Sequence, residues 1–164
     1  IRKESGIKYG YHLTQCMFSS GNINERRRMG EIVSKDDVVV DLFCGIGYYT
    51  LPILVKSKAK HVHSCEWNIN AINALKFNLK NNKVDYRCTI YEGDNRITSN
   101  DLLDIADRVL LGLLPTAEKS YHIALNCLKE TGGTLHLHGL APADNHEKLV
   151  VETTATLEEI NTNY

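Results

Sequence analysis

The sequence predicts an α/β fold built on a doubly wound, mostly parallel sheet. Residues 38–43 form a nearly continuous apolar, β-branched run, as expected for a strand buried on both faces, and a glycine-containing turn follows it. Strand and helix patterns then alternate through the rest of the chain, which is typical of parallel sheets with right-handed crossovers.

The elements follow in order along the chain. Residues 7–18 are predicted to form an extended segment or hairpin, and Asn24 to cap a helix that ends near Val33. After the first strand the patterns predict helices over residues 48–56, 68–81, 118–129 and 146–160, and strands over 61–65, 87–92, 107–112 and 134–138. The chain starts without Met and stops before further expected strands, so we interpret it as a fragment.

Composition indicates one soluble globular domain. Apolar residues make up 43% of the 164 positions and charged residues 24%, and no signal peptide or membrane-length apolar run is present. The five cysteines occur singly, without a C-x-x-C pair. This pattern favours reduced thiols in the cytosol or nucleus over a metal site, so we expect a cytoplasmic protein without metal or membrane contact.

Charge is distributed unevenly. The net charge is −1, but residues 1–35 hold seven Lys/Arg and three Asp/Glu, a balance of +4 that leaves −5 for the remainder. A basic flank on an acidic core suits a polyanionic partner. Three consecutive arginines, such as residues 26–28, are however more often a solvated helix face.

Polar residues follow three successive predicted strands, where ligands of doubly wound sheets bind. The first strand leads into the turn at residues 41–47, whose glycines let the backbone approach a ligand closely. A nicotinamide-binding fingerprint would have a third glycine at position 50, where this chain has Thr50, which argues against that cofactor. Glu66 ends the second strand and suits a ribose diol, although it could simply begin a helix. Asp94 and Asn95 lie at the end of the third strand and suit a purine, unless they form an ordinary Gly-Asp turn. Together the three predict a nucleoside-binding site.

The fourth strand ends where a substrate would meet such a ligand. Gly112 leaves space there, Pro115 restricts the turn, and Thr116 is placed to cap the next helix.

Two segments resemble a known family. They are F-S-S-G-N at residues 18–22, followed by Glu25-Arg26, and L-G-L-L-P at residues 111–115. The family contains the tRNA (guanine-N1) methyltransferases that act at position 37, beside the anticodon, and the aminocarboxypropyl transferases of wybutosine biosynthesis. The resemblance covers residues 6–160 and implies a class I S-adenosylmethionine (SAM)-dependent, methyltransferase-like Rossmann fold.

Two positions favour the aminocarboxypropyl branch. The methyltransferases resemble F-S-P-R in the first motif and N-x-P on the fourth strand, whereas Gly21 and Leu113 stand at the arginine and asparagine places here. The implied reaction transfers the 3-amino-3-carboxypropyl group of SAM to 4-demethylwyosine in tRNA(Phe) and releases 5′-methylthioadenosine.

The resemblance also implies which residues form the site. Arg26 would hold the carboxylate of the methionine moiety through its two-point fork. The implied cofactor-binding set is Ser19, Arg26, Phe43, Gly45, Glu66, Asp94 and Asn95, and the substrate-side set is Asn22, Gly112 and Pro115. No residue is assigned as the proton acceptor.

The implied domain plan has two parts. Residues 1–35 are the end of a truncated tRNA-binding region plus the first helix, and residues 36–164 are an incomplete SAM-binding catalytic domain whose partner is the anticodon region of tRNA(Phe). A guanine-N1 methyltransferase and a non-catalytic SAM-binding module remain alternatives, and the sequence does not determine the oligomeric state.

Overall fold

Five parallel strands form the central sheet. In this computed structural model, which describes residues 1–19 and 21–162, the strands are β3 (Val38–Asp41), β4 (His61–Glu66), β5 (Cys88–Glu92), β6 (Arg108–Leu111) and β7 (Thr134–Leu137). The predicted doubly wound α/β fold is confirmed.

Helices connect the strands and cover both faces of the sheet. They are α1 (Ile23–Ile32), α2 (Thr50–Pro52), α3 (Ile69–Asn81), α4 (Asn95–Thr98), α5 (Tyr121–Cys127) and α6 (His146–Thr162). Among the helices of the described residues, none is long and apolar enough to cross a membrane.

Strand β3 lies at the centre of the sheet because it is apolar on both faces. Val39 packs into one buried cluster and Val40 into the other, and both are fully buried. The chain builds β4 and β5 on one side of β3 and then crosses to β6 and β7 on the other. The carboxyl ends of β3 and β6 therefore flank the point where the strand order reverses, which is where such sheets bind ligands.

The N-terminal segment differs from the prediction. An antiparallel hairpin joins β1 (Arg2–Glu4) to β2 (Ile7–Tyr9), so the predicted extended segment over residues 7–18 is a strand only as far as Tyr9. The amide of Gly10 donates to the side chain of Asn78 on α3, which directs the chain onto that helix. Ile7 and Tyr9 pack in the same core cluster as Val39, so residues 1–35 share a core with the sheet.

Three helix predictions need correction. Helix α1 has Asn22 at its N-cap position, in the left-handed region (φ 58°), so Asn24 lies in the first turn and is not the cap. The predicted helix over residues 48–56 is α2 followed by a π-helical segment, Ile53–Ser57. The helix predicted over residues 118–129 begins as a 3₁₀ turn, Glu118–Ser120, and its α-helical part ends at Cys127.

Candidate functional site

The turn after β3 depends on a glycine at position 45. Gly45 has φ +56°, and a Cβ there would lie 2.7 Å from the ring of Tyr48. Its amide donates to Glu66 Oε2 at 2.9 Å. A side chain at position 45 would be strained and would displace Tyr48, so the glycine lets the turn lie directly against the end of β4.

Glu66 joins the ends of β3 and β4. Besides the Gly45 amide, its carboxylate accepts the amides of Trp67 (3.0 Å) and Asn68 (2.8 Å). Three of its roughly four acceptor positions are therefore used within the protein. The two sequence interpretations of Glu66 are compatible, because the carboxylate starts the β4–α3 turn and still keeps one acceptor position on a partly exposed side chain.

Asp94 lies at the end of β5 and is partly exposed. Its carboxylate caps α4 by accepting the Arg96 amide at 2.9 Å, and it also pairs with the Arg96 guanidinium. These hydrogen bonds from Arg96 lower the pKa of Asp94 to about 2. The carboxylate is therefore ionised at neutral pH and accepts hydrogen bonds only.

Asn95 is placed differently from the expectation that its side chain reads a purine. The side chain is buried, with Nδ2 donating to Leu42 O at 2.7 Å and Oδ1 accepting from Ser120 Oγ at 3.0 Å. Both polar groups of the amide are thus used inside the protein. Asn95 holds the end of β3, the start of α4 and the segment before α5 together.

Arg26 also differs from both sequence interpretations. It is 3% exposed, and its Nε and Nη2 atoms donate to the two carboxylate oxygens of Glu4 at 2.7 and 3.0 Å. Nη1 donates to Gly21 O at 3.0 Å. The guanidinium fork therefore binds the hairpin to α1, whereas Arg27 and Arg28 are the exposed arginines of this run.

The remaining expected cofactor contacts lie around the turn and the N-terminal flank. Phe43 is half-buried and its amide donates to Asp41 Oδ1 at 3.4 Å. Ser19 is exposed, and Ser20 lies outside the described residues. Ser19 directly follows Phe18, whose ring centroid lies 5.8 Å from that of Tyr48.

One of the substrate-side residues, Gly112, lies beside a tyrosine that the sequence interpretation missed. A Cβ on Gly112 would lie 3.3 Å from the ring of Tyr49. Tyr49 in turn stacks on His138, with ring centroids 5.0 Å apart. Asn22 and Pro115 are both exposed. His138 directly follows β7, so its position at a strand end was the signal that could have identified it.

Two further residues of this edge were missed. Trp67 follows Glu66 directly and is 78% exposed, so an aromatic face stands beside the carboxylate. Asp41 is fully buried and accepts from Thr50 Oγ1 at 2.8 Å. Burial raises the pKa of Asp41 to about 6. Thr50, the residue in place of a third glycine, thus supports the carboxylate beneath the turn.

These features define a class of protein. The strand order of the parallel sheet reverses beside β3, a glycine turn lies at that point, and an acidic residue ends the next strand. This combination is typical of a Rossmann-type domain that binds a nucleoside ligand. The family model described as the TRM5/TYW2 methyltransferase domain matches residues 1–163, so the chain belongs to the TRM5/TYW2 family.

Curated relatives carry wybutosine names. The chain is 48% identical over 158 residues to tRNA wybutosine-synthesizing protein 2/3/4 of Arabidopsis thaliana, covering 96% of this chain and 16% of the relative. It is 48% identical over 146 residues to the tRNA wybutosine-synthesizing protein 2 homolog of Danio rerio, covering 88% of this chain and 35% of the relative. The chain thus spans only a minor part of these relatives.

Solved structures of both family branches share the fold. P. horikoshii TYW2 in complex with MeSAdo superposes with a TM-score of 0.87 at 34% identity, covering 99% of this chain and 59% of that one. Trm5b from Pyrococcus abyssi superposes with a TM-score of 0.83 at 27% identity, covering 99% of this chain and 46% of that one.

Proposed function

We propose that the protein containing this chain transfers the 3-amino-3-carboxypropyl group of SAM to 4-demethylwyosine in tRNA(Phe). The observation that carries the proposal is the 48% identity, over 96% of the chain, to a relative named for wybutosine synthesis. The absence of the methyltransferase polar groups at Gly21 and Leu113 supports the same branch.

The strand ends fit SAM as the cofactor. The Gly45 turn lies directly against the end of β4, and Glu66 there keeps an acceptor position for a ribose hydroxyl. Asp94 offers an ionised carboxylate to an adenine amino group, and Trp67 offers an exposed ring face for stacking. SAM, when bound, supplies an electrophilic carbon next to its sulfonium. TYW2 of M. jannaschii, 34% identical, is described in complex with AdoMet.

The side chains around this cofactor have distinct proposed roles. Ser19 and Phe43 line the cofactor side, and Asn22, Gly112 and Pro115 line the substrate side. Asn95 is a positioning residue that fixes the edge of the site, because its amide is bonded within the protein. Arg26 positions the N-terminal flank through Glu4 and is not proposed as a carboxylate clamp.

We also propose the anticodon region of tRNA(Phe) as the macromolecular partner and the cytosol as the location. A solved Trm5 structure with a TM-score of 0.75 and 28% identity is a complex with tRNALeu. All five cysteines are unpaired thiols, which suits a reducing compartment.

The by-product of the reaction tests the proposal. The full-length protein is incubated with SAM and tRNA(Phe) carrying 4-demethylwyosine, and the released nucleoside is identified by mass spectrometry. We expect 5′-methylthioadenosine, with fully modified tRNA(Phe) as a control that lacks the acceptor. S-adenosylhomocysteine would instead establish methyl transfer, the second candidate favoured by the Trm5 superposition. Neither nucleoside, from protein that binds SAM, would establish a non-catalytic module.

A further inference from the structure

Three titratable side chains from separate elements meet on the substrate side. Tyr49 Oη lies 3.3 Å from His138 Nε2, and the two rings stack with an interplanar angle of 10°. Glu25 Oε1 on α1 lies 3.5 Å from the same nitrogen. We call these residues, Glu25, Tyr49 and His138, the β7 cluster.

The β7 cluster lies beside the residues expected to face the substrate. The His138 amide donates to Leu111 O at 3.1 Å, which places His138 level with Gly112 at the carboxyl edge of the sheet. Tyr49 contacts the space over Gly112, and the helix that begins after Asn22 carries Glu25. The cluster therefore connects the two halves of the predicted substrate side.

The other titratable groups around His138 hold fixed charges at neutral pH. Arg28 donates to both Glu25 oxygens at 2.8 Å, and these bonds lower the pKa of Glu25, so the carboxylate is ionised at neutral pH. Burial raises the pKa of Tyr49 to about 12, so the phenol keeps its proton. Burial lowers the pKa of nearby His136 to about 4, so that ring is neutral. An imidazole is the group that exchanges a proton near neutral pH.

Only one nitrogen of His138 is bonded. Nε2 faces Glu25 and Tyr49, whereas Nδ1 is buried and has no hydrogen-bond partner among the described residues. A buried polar atom without a partner is uncommon and unfavourable. In the tautomer that carries its proton on Nε2, facing the Glu25 carboxylate, Nδ1 keeps a lone pair.

We propose that His138 accepts the proton that the acceptor carbon of the tRNA base loses during transfer; this role rests on the proposed function. The acceptor carbon forms the new carbon–carbon bond while the carbon–sulfur bond breaks and leaves its electron pair on sulfur. The proton of that carbon passes to Nδ1, and the C–H electron pair restores the ring double bond. A fifth of the His138 side chain is accessible. The proposed step requires the ring to rotate about Cβ–Cγ, so that Nδ1, buried in this structure, turns towards the tRNA base. Glu25 balances the imidazolium until its proton leaves to water.

The test is single-turnover transfer at saturating SAM with the full-length protein. We expect His138→Asn to lower the rate by about 100-fold, the typical contribution of a general base, while the exposed control His122→Asn keeps the wild-type rate. With tRNA deuterated at the acceptor carbon, His138→Asn should show a larger isotope effect than wild type, which a purely structural role would not produce. Calorimetry should show unchanged SAM affinity.

Two measurements do not depend on His138→Asn folding. Glu25→Gln should lower the transfer rate and leave SAM affinity unchanged, because the imidazolium that forms during transfer loses the carboxylate that faces it. Nitrogen-15 spectra of the ligand-free protein should show the proton on Nε2; a proton fixed on Nδ1 overturns the assignment.

The outcomes separate the two proposals. Transfer by wild type with an unchanged rate and isotope effect in His138→Asn overturns the role of His138 alone. Absence of methylthioadenosine from wild type overturns the proposed function itself.

Discussion

Gly45 is the residue whose replacement most directly tests the cofactor turn. We expect Gly45→Ala to lower the free energy of unfolding by more than the 1–2 kcal/mol typical of left-handed strain, because the new Cβ also meets the ring of Tyr48. We expect it to weaken SAM binding as well. Urea unfolding and calorimetry measure the two effects.

Gly132 provides a matched control. It also has a positive φ, +99°, but a Cβ there has no atom within 4 Å. Gly132→Ala should therefore show the strain without the contact and leave SAM binding unchanged. Equal losses of stability in the two variants would contradict the role assigned to Tyr48.

Asp41 predicts a pH dependence at the residue scale. Its pKa is raised from 3.8 to about 6 by burial, so between these values the folded state binds more protons than the unfolded state. Stability from this group is present below pH 4 and is lost as pH rises through 6. We expect Asp41→Asn to gain on the order of 3 kcal/mol relative to wild type between pH 4 and 7.

Urea unfolding of both proteins across that range measures the difference. His63 and His136, whose pKa values burial lowers to about 4, titrate in the same window with the opposite sign. They are present in both proteins and so cancel in the comparison. If the difference in unfolding free energy between Asp41→Asn and wild type does not change with pH, the pKa of Asp41 is not raised by folding.

The sequence predicts which polar groups end the strands, but not which of them are already bonded. Glu66 and Asp94 could be assigned to the edge because strand ends of a parallel sheet meet there. Arg26 pairs with Glu4, 22 residues earlier, and Asn95 pairs with Ser120, 25 residues later. No periodic pattern reports such contacts, so both were assigned to the cofactor when their side chains bind the protein.

At the scale of elements, burial made the central strands easier to predict than the termini. The apolar run of β3 identifies a strand buried on both faces, and its neighbours follow from the alternation of patterns. The hairpin β1–β2 was displaced in the prediction because its register depends on contacts with α3. Asn82 Oδ1 accepts the Lys8 amide at 3.0 Å and Asn78 Oδ1 accepts the Gly10 amide at 2.5 Å.

Asn78 tests the attachment of the hairpin. It is fully buried, and its Nδ2 also donates to Ile46 O at 3.0 Å in the cofactor turn. Asn78→Leu leaves a backbone N–H and a backbone C=O without partners, so we expect the free energy of unfolding to fall by about 2–6 kcal/mol, from about 1–3 kcal/mol for each group. Urea unfolding checks this, with exposed Asn73→Leu as the control. A loss below about 1 kcal/mol would show that the hairpin is held by apolar packing.

At the scale of the whole molecule, the net charge of this chain bears on how tightly it binds tRNA by itself. Its net charge is −1, while phosphate contacts supply much of the affinity of proteins for nucleic acids. We expect the isolated 164-residue chain to bind SAM but to bind tRNA(Phe) far more weakly than the full-length protein. Calorimetry with SAM and filter binding with tRNA at several salt concentrations measure both. Equal tRNA affinity would place the main tRNA contacts within these residues.

Because the strand order reverses beside β3, the residues proposed for the cofactor and those proposed for the tRNA base lie on different strands and can mutate independently. The residues proposed to bind the nucleoside follow β3, β4 and β5. By contrast, Gly112, Pro115 and His138 follow β6 and β7. If the proposed function is correct, we expect mutations at the ends of β6 and β7 to alter the reaction with the tRNA base while leaving the nucleoside-binding residues unchanged. A new tRNA modification could then evolve through a few substitutions. A mutant library confined to residues 112–116 and 138 would test this in the laboratory.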